Sequence, residues 1–138
     1  MSKVLAIDVG EKRVGFAVSD ENKKFAFARE TLEVENGFSK NLEQIITEED
    51  IEKIVVGLPR NMDGTLGPQA DKVKSFVGKH MSQYQSLVVY EDETATSILA
   101  EEELRREGLD PRENKGLVDS YAAKIILESW LNDIELKD

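Results

Sequence analysis

The stretch KVLAIDVGEKRVGFAVSDENKKFAFARETLEV, residues 3–34, decides the fold. Its opening run, Lys3 to Val9, is rich in Val, Leu, Ala and Ile and alternates poorly, as expected of a strand covered on both faces. Gly10 and Glu11 break that run. Arg13 to Ser19, with VGFAV at its heart, reads as a second strand and Lys24 to Val34 as a third. The short gaps between them, rich in Asp, Glu, Asn and Lys, predict hairpins. Three antiparallel strands in a meander therefore open the chain.

Beyond Asn36-Gly37 the pattern changes period. Phe38, Leu42, Ile45 and Ile46 recur at helical spacing, and Ile54 to Leu58 is a short β-branched run ending at Pro59. Arg60 to Pro68 holds two glycines and reads as a loop; Gln69 to Met81 then carries Ala70, Val73, Phe76 and Val77 on one helical stripe. Leu87 to Tyr90 is the next strand. Thr94 can cap a helix running to about Arg106, with Gly108 as its stop, and Asp110-Pro111 turns the chain into a last helix from about Lys115 to Leu131. The order βββαβαβαα predicts an α/β fold with a five-stranded mixed sheet, three meander strands followed by two parallel ones, and helices on both faces. This is the strand order of a ribonuclease-H-like fold. With 138 residues, 40% of them hydrophobic, and no repeat or long linker, residues 1–138 read as one domain.

Composition narrows the chemistry. There is no cysteine, which excludes disulfides and thiolate metal sites, and the lone His80 argues against a zinc site or a histidine-dependent triad. Carboxylates must carry any acid, base or ligand role. No stretch approaches 18 apolar residues and no cleavage pattern follows the amino terminus, so a soluble, cytoplasmic protein with no membrane partner is expected. The net charge of −10 opposes nonspecific nucleic-acid binding, although Lys12, Arg13, Lys23, Lys24 and Arg29 cluster in the first 29 residues.

Asp8 ends the first strand among apolar residues, with Gly10 just beyond it. A carboxylate in that position requires a partner, because burying it alone costs several kcal/mol. The alternative is a turn or capping aspartate. Asp92 and Glu93 follow the strand LVVY, and right-handed crossovers bring them to the sheet edge where Asp8 lies. Taken alone, the run Glu91, Asp92, Glu93 also reads as a solvated strand end. Asp119 borders the apolar stripe of the last helix, where Ser120, Ala122 and Ala123 permit close packing on the sheet. Oxygen ligands with no His or Cys suit Mg²⁺ or Mn²⁺, and two such ions about 4 Å apart can drive phosphodiester hydrolysis.

Four ordered blocks, AIDVGEKRVGFAVSD, VVGLPRNMDGTLGPQA, DETATSILA and NKGLVDSYAAKIILESWL, resemble the motifs of the YqgF family over nearly the whole chain. These are small bacterial ribonuclease-H-like proteins described as Holliday-junction resolvases and as nucleases maturing the 5′ end of pre-16S ribosomal RNA. The resemblance implies metal-binding acids at Asp8, at Asp92 or Glu93 with Glu93 favoured, and at Asp119. It further implies that Lys12 and Arg13 approach substrate phosphates, that Lys115 also faces substrate, and that Gly57, Pro59, Asn61, Gly64, Gly67 and Gln69 form a substrate-facing loop. The plain alternative for that segment is a strand-to-helix connection. Thr94 stands where the family usually has Arg, and it lacks the fork of donors an arginine offers a phosphate. The Glu101–Glu103 run reads as an exposed helix face.

The expected activity is therefore metal-dependent nucleic-acid hydrolysis, on pre-16S rRNA or on a four-way DNA junction, by a monomer or homodimer. A noncatalytic ribosome-assembly module on the same fold is the alternative of another class. The strand-end D-x-G also resembles the phosphate-binding motif of actin-like and sugar-kinase ATPases, but those need a second lobe for which 138 residues leave no room.

Overall fold

A computed structural model describes residues 2–35, 37–61, 63–93 and 96–137, with side chains as far as 134. Five strands, β1 (Lys3–Val9), β2 (Arg13–Ser19), β3 (Ala26–Glu33), β4 (Ile51–Pro59) and β5 (Val88–Glu93), form one sheet in the order β3-β2-β1-β4-β5. β1 pairs antiparallel to β2 and parallel to β4, β2 pairs antiparallel to β3, and β4 pairs parallel to β5. The helices are α1 (Phe38–Glu48), α2 (Pro68–His80), α3 (Thr96–Arg106) and α4 (Lys115–Lys137), with a 3₁₀ segment at Ser82–Leu87. The mixed five-stranded sheet expected from the sequence is present.

Alternation along β1 sorts the core into two layers. Leu5 and Ile7 face α1 and α2, packing with Phe38, Leu42, Val73 and Val77, whereas Val4 and Ala6 face α4, packing with Ala123, Ile126 and Leu127. Asp8 has the parity of Val4 and Ala6, so it turns toward α4. Burial of Ile126 and Leu127 is worth about 2 kcal/mol each. On the same face of the helix, one turn earlier, Ser120 donates a hydrogen bond of 2.5 Å to the Arg29 carbonyl of β3.

Several boundaries differ from the sequence reading. The third strand starts at Ala26 rather than Lys24, because the Asp20 carboxylate accepts the backbone N–H groups of Lys24 and Phe25 and holds both in the turn. β4 begins at Ile51, where the ladder with β1 already opens. β5 runs on through Asp92 and Glu93, which pair with Leu58 and Pro59 inside the sheet instead of following the strand. α4 continues past Leu131 to Lys137. Gly108, with φ of +83°, ends α3 as expected. The turn residue Asn36, the capping role of Thr94 and its departure from the family's arginine lie outside the described residues.

Candidate metal and nucleic-acid site

The carboxyl ends of β1, β4 and β5 and the first turns of α4 converge at one end of the sheet. Asp8 projects there from β1. The residue keeps some exposure at the open end of the sheet, but its carboxyl group is largely shielded from water. Period-two alternation puts Val89, Glu91 and Glu93 on the α4 face of β5, so Glu93 points at Asp8 and the two carboxyls hydrogen-bond to each other. Burial pushes the Asp8 carboxyl well above the usual range; the charge and hydrogen bond of Glu93 and the charge of Asp119 add to this. Burial raises Glu93 as well, against the lowering effect of its bond to Asp8. The pair thus keeps a proton to higher pH than free carboxyls do.

Asp119 arrives from α4 and is close enough to raise Asp8, yet its own side chain is turned to Arg13, whose Nε donates to Oδ2 at 3.2 Å. Burial raises Asp119 and the Arg13 guanidinium lowers it. Among the described residues no three carboxylates stand close enough to form a complete cation cage, because Asp119 is engaged by that guanidinium. The donors nevertheless fit a hard divalent cation. Two face-to-face carboxyls need a positive charge between them, and a cation meets that need as the shared proton does.

Asp92 goes elsewhere. Alternation sends it to the opposite side of β5, where its side chain is 63% exposed and pairs with Arg60 at 2.6 Å. Of the two acids left open by the sequence, only Glu93 meets Asp8. Glu91, one step back on the same face, accepts a 2.9 Å hydrogen bond from Ser129 and is raised to about 7 by burial and by Asp133.

Two glycines make the arrangement possible. A Cβ on Gly15, the strand partner of Asp8, would lie 2.5 Å from the Asp119 carbonyl carbon, so α4 rests backbone to backbone on β2 at that position. A Cβ on Gly57 would meet Ile126 Cδ1 at 2.5 Å and Glu93 Oε2 at 2.8 Å. Gly57 and Pro59 lie within β4, so the loop that leads to α2 begins only after them. Gly15 was open to detection in the sequence, since a glycine inside a strand such as VGFAV marks a close approach.

The remaining residues spread around this end. Lys12 is exposed and lines a cavity of about 280 Å³ with Glu11, Arg13 and Glu33. Asn61 bonds to Thr65 and Gly64 adopts φ of +87°, so the described residues at the two ends of the 60–67 loop are tied to each other. Gln69 opens into a separate cavity beside Val9, Gly10 and Phe76. Lys115 lies with Arg13 and Asp119 in a third cavity. His80 stacks on Phe76 at the far end of α2.

Residues 2–133 match the model of a family described as RuvX, Holliday junction resolvase. A protein of Trichormus variabilis named "Putative pre-16S rRNA nuclease" is 41% identical over 131 residues, covering 93% of this chain and 86% of its own. One of the same name from Maridesulfovibrio salexigens is 40% identical, covering 94% and 97%. Among solved structures, T. thermophilus RuvC in complex with a Holliday junction substrate aligns with a TM-score of 0.57 at 14% identity, covering 98% of this chain and 96% of that one. The Fowlpox virus resolvase in complex with junction DNA aligns at 0.54 and 11% identity, covering 96% and 98%. At such identities the likeness is one of fold, and it agrees with the strand order in giving a ribonuclease-H-like architecture.

Proposed function

This chain belongs to the RuvX family, the YqgF-like proteins its motifs resemble, and from that premise we propose that it is a divalent-metal-dependent nuclease trimming the 5′ end of pre-16S rRNA in the cytoplasm. The observation that carries the reading is the Asp8–Glu93 pair, brought face to face from β1 and β5 and shielded at the open end of the sheet. Asp8 and Glu93 would hold Mg²⁺ or Mn²⁺, and Asp119 would join them. Such an ion, when bound, supplies an activated water and stabilises the leaving oxygen of a phosphodiester.

The chain's own groups do the rest. With the ion held between them both carboxylates would be charged, the proton they keep at low pH having passed to solvent. Arg13 has its guanidinium beside Asp119 and can exchange that carboxylate for a substrate phosphate, which offers it a charge-assisted pair of bonds. Asp119 is thereby released toward Asp8. Lys12 and Lys115 add positive charge on either side, and Asn61, Gly64 and Gln69 border the approach from α2. The shielded setting of Asp8 and Glu93 strengthens the interactions made there.

The test uses a 5′-extended 16S rRNA fragment and a four-way DNA junction, each with Mg²⁺, Mn²⁺ or chelator, and an Asp8→Asn variant. Metal-dependent cutting of the RNA that the variant lacks supports the reading. Cutting of the junction alone assigns the site to a resolvase instead, as the family description favours. Nucleic-acid binding with no cutting under any condition leaves a noncatalytic module.

A further inference from the structure

We propose that the cavity between the end of α3 and the start of α4 is the track along which a single nucleic-acid strand leaves the metal site, with Arg105 and Arg112 as its phosphate contacts. The cavity, about 300 Å³, is lined by Arg13, Arg105, Arg112 and Lys115 and by two carboxylates, Glu101 and Asp119. The chain as a whole has 28 acidic and 18 basic residues, so a lining of four cations to two acids inverts the prevailing balance. Asp119 is part of its lining and lies near enough to Asp8 to raise that carboxyl, so the cavity adjoins the candidate metal site. The inference rests on the nuclease reading and extends it to residues that neither the motifs nor the resemblance singled out.

Two of these cations, Arg105 and Arg112, are largely exposed and each is held by a partly exposed carboxylate. Arg112 is 90% exposed and pairs with Asp110 at 3.2 Å, and Arg105 pairs with Glu101 at 3.5 Å across one helical turn. Exposed pairs of this kind contribute about 0–1 kcal/mol, so a phosphate can replace the carboxylate at little cost. Guanidinium groups suit the exchange, because their fork of donors fits phosphate oxygens as well as a carboxylate. The opposite flank offers less. Arg60 is only 33% exposed and is held at two points, by Asp92 at 2.6 Å and by the Gly64 carbonyl, and Asn61 is turned to Thr65. A strand held by its backbone alone follows the cleft whichever sugar it carries, so RNA and DNA of one sequence serve as the two arms of the test.

Binding of labelled single-stranded RNA and DNA is measured by anisotropy in Ca²⁺ over a range of salt concentrations, for the wild type, Arg105→Gln/Arg112→Gln and the remote control Lys40→Gln. Loss of two phosphate contacts lowers the slope of log Kd against log salt by about 1.4 for a single strand. That fall in the double variant, with Lys40→Gln matching the wild type and all three melting alike, supports the track. A slope unchanged in the double variant overturns it while leaving the nuclease reading intact. Failure of the wild type to bind either strand overturns both. A fall confined to the RNA arm identifies the 2′-hydroxyl as part of the recognition and overturns a purely backbone track.

Discussion

Gly15→Ala is the most informative single change in the scaffold. Glycine inside a strand costs about 0.5–1 kcal/mol relative to alanine, so propensity alone makes this variant more stable. The packing reverses the sign. The new Cβ would lie 2.5 Å from the Asp119 carbonyl carbon and 3.1 Å from the Ser120 nitrogen, against an ordinary carbon–carbon contact of about 3.5–4.0 Å. Both obstacles are backbone, so neither can rotate aside. α4 must move out by about 1 Å, loosening Ala122, Ala123 and Ile126, which are buried against the sheet. Overpacking of this kind costs about 1–3 kcal/mol, here the upper half of that range because both obstacles are backbone, and subtracting the propensity gain leaves roughly 1–2.5 kcal/mol of net destabilisation. In a chain of this size that is a fall in Tm of roughly 4–8 °C, read by circular dichroism. The same displacement carries Asp119 away from Asp8, and a shift of about 1 Å can cost about 10²-fold in single-turnover cleavage. A Tm at or above that of the wild type with full activity would refute the claim that α4 sits directly on Gly15.

Three further predictions follow from the same geometry. Gly57→Ala meets only the ends of the Ile126 and Glu93 side chains, which can turn, so its stability falls by less than about 1 kcal/mol while displacement of Glu93 lowers cleavage by about 10²-fold; thermal melts beside single-turnover assays separate the two effects. The raised Asp8 carboxyl means that the metal-free wild type loses stability as pH rises from the unfolded value near 3.8 through the higher folded one. Asp8→Asn removes that loss, so its Tm exceeds that of the wild type at neutral pH and converges on it as pH approaches 4; equal melting at both pH values would show that Asp8 is not desolvated. Arg13→Gln deletes the guanidinium that lowers Asp119, so the Asp119 carboxyl titrates higher, as carbon NMR of the labelled side chain can follow.

The fold was legible in residues 3–34, because a strand buried on both faces followed by two hairpin strands leaves few arrangements for the helices that come after. Asp8 and Asp119 were legible for a similar reason, each being a charge set in an apolar pattern. The choice between Asp92 and Glu93 was not. A strand read as ending at Tyr90 leaves both acids in a loop without a defined face, whereas a strand ending at Glu93 gives them opposite faces by alternation. The functions of Gly15 and Gly57 depend on which parts of α4 cross them, a long-range contact that local patterns do not record. Arg105 and Arg112 come together with Arg13 only through the turn after Gly108 and the approach of α4 to β2. Local reading separated them into a helix end and a loop. The 3.2 Å bond that turns Asp119 toward Arg13 likewise belongs to tertiary structure, and it separates a pair plus a neighbour from the three-carboxylate cluster the sequence suggested.

The central claim is that Asp8 and Glu93, not Asp92, form the cation-binding pair. Calorimetric titration of Mn²⁺ into the wild type, Glu93→Gln and Asp92→Asn, in two buffers of different ionisation enthalpy, tests it most directly. The wild type and Asp92→Asn should bind the ion with release of a proton, whereas Glu93→Gln should lose at least tenfold in affinity, about 1.4 kcal/mol. Undiminished Mn²⁺ binding by Glu93→Gln, or its loss in Asp92→Asn, would contradict it.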